Sequence, residues 1–235
     1  MSGTMTKPVT VYIAGDSTAA NYPEEKRPMS GWGEWIGSYL TGGVRICNEA
    51  RNGRSSKSYI GEGHFDRIAA GIGEGDYLLV QFGHNDQKPD ESRHTDPGST
   101  YEEHLLRYIE MARGKGAYPV LLTSVERRAF DEAGVLVPSH GEYPDAVRRL
   151  AEAQRVPLLD LCHFTQRAYR KLGSEASKGW FVWLEPGEHP NYPEGERDNT
   201  HFNELGARNV AGLVAQALAA SDSSLAGYLK TGSGG

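Results

Sequence analysis

Cysteine is nearly missing from this sequence: Cys47 and Cys162 are its only two in 235 residues. Two thiols cannot build a disulfide scaffold, and their spacing is not that of a metal site. They read as two buried apolar thiols. Basic charge is also short, with 25 Lys and Arg against 31 Asp and Glu and a net charge of -6. That balance argues against general nucleic-acid binding, because phosphates are neutralised by clustered cations. No apolar run approaches the roughly 18 residues of a membrane-spanning helix, so no membrane partner is expected. The opening MSGTMTKPVT lacks the basic, apolar and small-residue regions of a signal peptide. A cytoplasmic location is therefore expected.

Glycine is in excess, 29 of 235 residues, without a Gly-X-Y period. Such a composition suggests tight turns and close backbone approaches. With 38% hydrophobic and 24% charged residues, the chain can bury a core. The expected organisation is one domain over residues 1–220 and a partly flexible tail over 221–235, ending in TGSGG.

Five short apolar runs read as strands: 9–14, 44–47, 76–82, 118–124 and 156–161. They are nearly continuous in Val, Ile and Leu, the pattern of strands covered on both faces in a parallel sheet. Helices are predicted at 31–40, 64–72, 99–114, 143–154 and 203–219. Ser99 and Glu102 resemble a capping box. Leu205, Val210, Leu213, Val214 and Leu218 are expected on one apolar face of the last helix. Alternating strands and helices predict an α/β fold with right-handed crossovers. Long loops at 125–142 and 173–200 are expected to be functional.

In such a sheet the chemistry lies outside the carboxyl ends of the strands. Strand one is followed by Gly15-Asp16-Ser17-Thr18. Strand two is followed by Asn48 to Ser56, which includes Arg51, Gly53 and Arg54. Strand three is followed by Gly83-His84-Asn85-Asp86. Asp198-Asn199-Thr200-His201 comes just before the last helix. Each fragment alone is weak, and a Gly-rich loop after a strand can also cradle phosphate. Their joint order is specific.

These four segments resemble the four blocks of the SGNH (GDSL-type) hydrolases, and in particular the rhamnogalacturonan acetylesterase branch. The resemblance spans about residues 9–219. It implies a three-layer flavodoxin-like fold with a five-stranded parallel sheet in the order 2-1-3-4-5. It also implies ester hydrolysis through a Ser-His-Asp triad of Ser17, His201 and Asp198, with no cofactor and no metal. The oxyanion donors it implies are the N–H groups of Ser17 and Gly53 and the Asn85 amide. In that strand order Cys47 and Cys162 lie at opposite edges, roughly 19 Å apart. That exceeds the limit of about 7 Å for a disulfide, so two free thiols are expected.

The residue types support this chemistry. A serine hydroxyl needs an adjacent base, and His201 can serve if Asp198, three residues earlier, holds its other ring nitrogen. Asp16 and Asp86 are expected to support their loops. A phosphoesterase-like metal site of Asp16, Asn85, Asp198 and His201 would need more His and carboxylate ligands.

The expected partner is a small acetylated oligosaccharide, imported rather than polymeric. Trp180, Phe181 and Trp183 offer sugar-stacking faces, and Tyr22 and Tyr192 are placed to line the same cleft. Arg51, Arg54 and Arg197 are candidates to pair with a uronate carboxylate, and His84 is a further candidate substrate contact. Three alternatives stay open on sequence: a broad esterase, lipase or thioesterase, an acetyl xylan-type esterase, and a catalytically silent carbohydrate-binding module. The sequence leaves the oligomeric state undetermined.

Overall fold

Strand β1 (Val9–Gly15) sits at the centre of a parallel sheet because it is apolar on both faces. Its neighbours are β2 (Val44–Asn48) and β3 (Tyr77–Gln81), followed outward by β4 (Tyr118–Leu122) and β5 (Leu158–Leu159). The order is 2-1-3-4-5 and every pairing is parallel. This computed structural model describes residues 8–231. The expectation of no signal peptide concerns the N-terminal segment, which, like the last four residues of TGSGG, lies outside the described residues.

Alternate strand residues feed two separate cores. Val11, Ile13, Leu79, Val120 and Leu122 pack with helices α5 (Leu161–Ala176) and α6 (Glu204–Ala219) and with Trp32. Tyr12, Ala14, Leu78, Val80 and Leu121 pack on the opposite face. The elements there are α1 (Ser56–Gly61), α2 (His64–Gly71), α3 (Thr100–Gly114) and α4 (Tyr143–Gln154). This is the expected three-layer arrangement. No helix among the described residues is long and apolar enough to cross a membrane.

The differences from expectation have local causes. Residues 31–40 form two 3-10 turns, Trp32–Glu34 and Ile36–Tyr39, instead of one helix. Glycines at 31, 33 and 37 weaken a helix there. Helices α1 and α5 were not expected. Helix α5 begins where the Asp160 carboxylate caps the His163 N–H. The predicted fifth strand to residue 161 therefore shortens to two residues.

The expected 173–200 loop contains an antiparallel pair, β6 (Phe181–Leu184) and β7 (Glu196–Phe202). Ser99 makes no side-chain cap on α3; instead the Glu102 carboxylate accepts the Gly98 N–H at 2.7 Å. Leu205 is 57% exposed, because it lies on the solvent side of the first turn of α6 while Gly206 and Ala207 face the core. Residues 221–231 pack on the body: Leu225 is buried, and Leu40 bridges Leu229. Both thiols are free; Cys162 is buried, but Cys47, on the edge strand β2, is only half-buried.

Candidate active site

The chain turns sharply at the carboxyl end of β1. The Asp16 carboxylate accepts the Thr18 N–H at 2.9 Å and the Thr18 hydroxyl at 2.8 Å, an Asx turn that lifts Ser17 above the sheet. Four residues strap this turn. The Tyr22 hydroxyl donates to the Ser17 carbonyl at 2.9 Å. The Trp32 N–H donates to the Thr18 carbonyl at 3.0 Å. Gln81 donates to the Thr18 hydroxyl at 2.6 Å and accepts the Trp32 indole N–H at 2.8 Å. Asn48 donates to the Ala19 carbonyl at 2.7 Å. Gly33 lets Trp32 come close: a Cβ there would lie 2.4 Å from the Ala19 carbonyl oxygen. Sequence reasoning missed Trp32, Gln81 and Asn48, since only the folded turn brings them together. Tyr22, expected to line the cleft, is buried beneath Ser17.

The late segment meets this turn. Asp198 and His201 lie on β7, not in a loop, and the strand bends locally between them. Asp198 Oδ1 accepts the N–H groups of Thr200 and His201 at 2.7 and 2.8 Å. Its Oδ2 lies 2.6 Å from His201 Nδ1. His201 Nε2 is 2.9 Å from Ser17 Oγ. The carboxylate thus fixes the imidazole with Nε2 toward the hydroxyl. Burial pushes the Asp198 carboxyl up, but the His201 ring and the two N–H groups outweigh that and hold it below its usual range. Asp198 therefore stays ionised.

Asn85 is 7% exposed and donates one N–H to the Arg54 carbonyl at 3.1 Å, tying the third segment to the second. An amide has a second N–H to offer. Gly53 has φ +76° and a Cβ direction that meets nothing within 4 Å. Its requirement for glycine is the left-handed backbone, not a crowded neighbour. No hydrogen bond among the described residues uses the N–H of Ser17 or Gly53. Among the described residues no group of three or more His, Cys, Asp or Glu is placed to hold a metal ion.

Behind the site lies a buried polar layer. His84, an expected substrate contact, is only 3% exposed, with its Nδ1 3.3 Å from Asp16 Oδ2. Its ring packs edge-on against His140, 4.5 Å between centroids. It supports the turn from below and does not reach the cleft. Burial raises the Asp16 carboxyl, but His84 and Thr18 outweigh it and hold it below the usual range.

Asp86 is fully buried and joins two loops. It accepts the Ser56 hydroxyl at 2.5 Å, the Ser56 N–H at 3.1 Å and the Thr95 hydroxyl at 3.0 Å. Burial pushes its carboxyl up to about 6 despite these bonds. Between its ordinary value of 3.8 and about 6, the folded chain keeps a proton that the unfolded chain has released. The contribution of Asp86 to stability then falls as pH rises through that window. Asp86→Asn removes this dependence. Its destabilisation is expected to be larger at pH 4 than at pH 7, by about 2 kcal/mol. Urea titrations of both proteins at the two pH values check this; a cost that grows toward pH 7 would contradict it.

The remaining candidates are placed as follows. Arg51 pairs with Glu49 at 2.8 Å, Arg54 with Glu62 at 2.7 Å and Arg197 with Glu185 at 2.6 Å. Trp180 packs against Tyr169, with ring centroids 6.0 Å apart. The Tyr192 hydroxyl donates to the Lys26 carbonyl at 3.1 Å. Trp183 donates to the Asn199 side-chain oxygen at 3.0 Å and lines two open cavities beside β7.

The chain is 50% identical over 214 residues to the rhamnogalacturonan acetylesterase RhgT of Bacillus subtilis, covering 91% of each. It is 30% identical to a rhamnogalacturonan acetylesterase of Emericella nidulans, covering 90% of this chain and 85% of the other. The crystal structure of the YxiM protein of Bacillus subtilis superposes with a TM-score of 0.76 at 26% identity. That match covers 89% of this chain and 56% of YxiM. The profile of the GDSL-like lipase/acylhydrolase family matches residues 13–208. The chain belongs to that family.

Proposed function

We propose that this chain is a carbohydrate O-acetylesterase that removes acetyl groups from pectic, rhamnogalacturonan-type oligosaccharides, with residues 1–220 as its hydrolase domain. One observation carries the reading. An unbroken Asp198–His201–Ser17 hydrogen-bond chain stands in a protein half identical to a rhamnogalacturonan acetylesterase.

His201 Nε2 takes the Ser17 proton as Oγ attacks the acetyl carbonyl. Negative charge gathers on the carbonyl oxygen. The N–H groups of Ser17 and Gly53 and the second Asn85 N–H receive it, preorganised and not engaged elsewhere. His201 returns the proton to the sugar alkoxide, which leaves. Water, deprotonated by the same imidazole, then attacks the acetyl-enzyme; the bond to Ser17 Oγ breaks, His201 returns the proton to Oγ, and acetate is released. Asp198 keeps Nδ1 protonated throughout.

Asn85→Ala is expected to lower kcat about 10²–10³-fold. A loss under about fivefold in steady-state assays would reduce Asn85 to a loop tie.

The proposed substrate is tested by acetate release from acetylated rhamnogalacturonan fragments, acetylated xylan fragments and p-nitrophenyl esters of rising chain length. Preference for the first supports the reading. Preference for long acyl chains would make the protein a lipase-type esterase, and preference for xylan an acetyl xylan esterase.

A further inference from the structure

The segment after β4 carries two consecutive arginines that no sequence block includes. Each reaches a residue next to the site. Arg127 donates to the His84 carbonyl at 3.2 Å, beside Asn85. Arg128 donates through its backbone N–H to the Asn199 carbonyl at 2.9 Å and through its side chain to Asn199 Oδ1 at 2.8 Å, beside Asp198.

The guanidinium bonds of both end on neutral acceptors. Arg127 meets Gln87, Ser139, His140 and the His84 carbonyl. Arg128 meets Ser177, Asn199 and the Ser174 carbonyl. Neither forms a direct ion pair among the described residues; Asp16 and Glu126 act on Arg127, and Glu175 on Arg128, only at longer range. This sets them apart from Arg51, Arg54 and Arg197, whose charges are already met.

Both arginines line an open cavity of about 510 Å³ together with Lys178, Phe130, Trp183 and Asn199. Two carboxylates share it. Glu175 is 2.7 Å from Lys178, and Asp131 accepts the N–H groups of Ala133 and Val135 at 2.9 and 2.8 Å. Three cations against two anions leave the cavity positive in a chain of net charge -6. Trp183 adds an aromatic wall: Lys178 Nζ lies 4.5 Å and the Arg128 guanidinium 4.9 Å from its ring centroid.

We infer that this cavity is the subsite for a carboxylate-bearing sugar, a uronate residue of the oligosaccharide whose acetyl group is cut. A carboxylate there would supply the direct ion pair that the two guanidiniums lack. The inference rests on the acetylesterase reading above and adds to it the residues that select an acidic substrate.

The test uses acetylated galacturonate oligosaccharides as free acids and as methyl esters, in which a methyl group replaces the charge of each carboxylate. The measured quantity is the ratio of kcat/KM for the two. Wild type is expected to favour the free acid by about tenfold or more, the worth of one charge-assisted hydrogen bond. Arg127→Gln and Lys178→Gln are each expected to shrink the ratio toward one, mainly through KM for the acid. Equal rates on both forms in wild type would overturn the subsite while leaving the acetylesterase intact. So would variants that lose activity on both forms in parallel, since that marks a purely structural role. Acetate release from neither form, with p-nitrophenyl acetate still cleaved, would overturn the acetylesterase reading and the subsite with it.

Discussion

Ser17→Ala is expected to lower kcat for acetate release by about 10⁶-fold while leaving the melting temperature close to that of the unaltered protein. Ser17 is 7% exposed, and among the described residues its hydroxyl has one hydrogen-bond partner, His201 Nε2. The turn that carries it is held through other atoms. The Ser17 carbonyl takes the Tyr22 hydroxyl, and Thr18 is tied to Asp16, Gln81 and Trp32. Removing Oγ therefore removes the attacking atom without loosening its support. Some catalysis over water should persist, because donors for the oxyanion stay in place. Acetate assays and thermal unfolding measured on the same preparation check both halves. Turnover within about tenfold of the starting value would mean that another group attacks.

Asp198→Asn should cost about 10⁴-fold in kcat with the fold retained. The reason is specific to this site. Asp198 Oδ1 is fixed by the N–H groups of Thr200 and His201. An asparagine would keep its carbonyl oxygen there and turn its NH₂ toward His201 Nδ1. That nitrogen must then accept, which places the ring proton on Nε2, facing Ser17. An Nε2 that already carries a proton cannot take one from the hydroxyl. The imidazolium formed during attack also loses its counter-charge. Rates on an activated acetate ester, compared with unfolding curves, test this; a loss below about tenfold would show that the carboxylate does no more than support the strand.

Much of the site is legible along the chain because its parts are local. Gly15 to Thr18, Gly53, Asn85 and the Asp198–His201 pair each sit in a short segment whose residue types match one chemical task. The strands of the sheet are legible for a similar reason: burial on both faces demands continuous apolar runs. Helix 31–40 and the 173–200 loop misled. In the first, glycines suit close packing against Ala19 and Ala20. In the second, the pairing of β6 with β7 is made across an 11-residue connection, residues 185–195.

The sequence by itself determined the sheet, its order through the family likeness, and the identities of the triad and oxyanion candidates. Those depend on short-range pattern and on residue chemistry. Only the tertiary structure decided which charges are free. Arg51, Arg54 and Arg197 look available in the chain, yet each meets a carboxylate in the fold. Arg127 and Arg128 draw no notice in the chain, yet form no direct ion pair among the described residues. The physical reason is that a side chain's net electrostatic role depends on every neighbour within a few ångströms, and those neighbours come from distant segments.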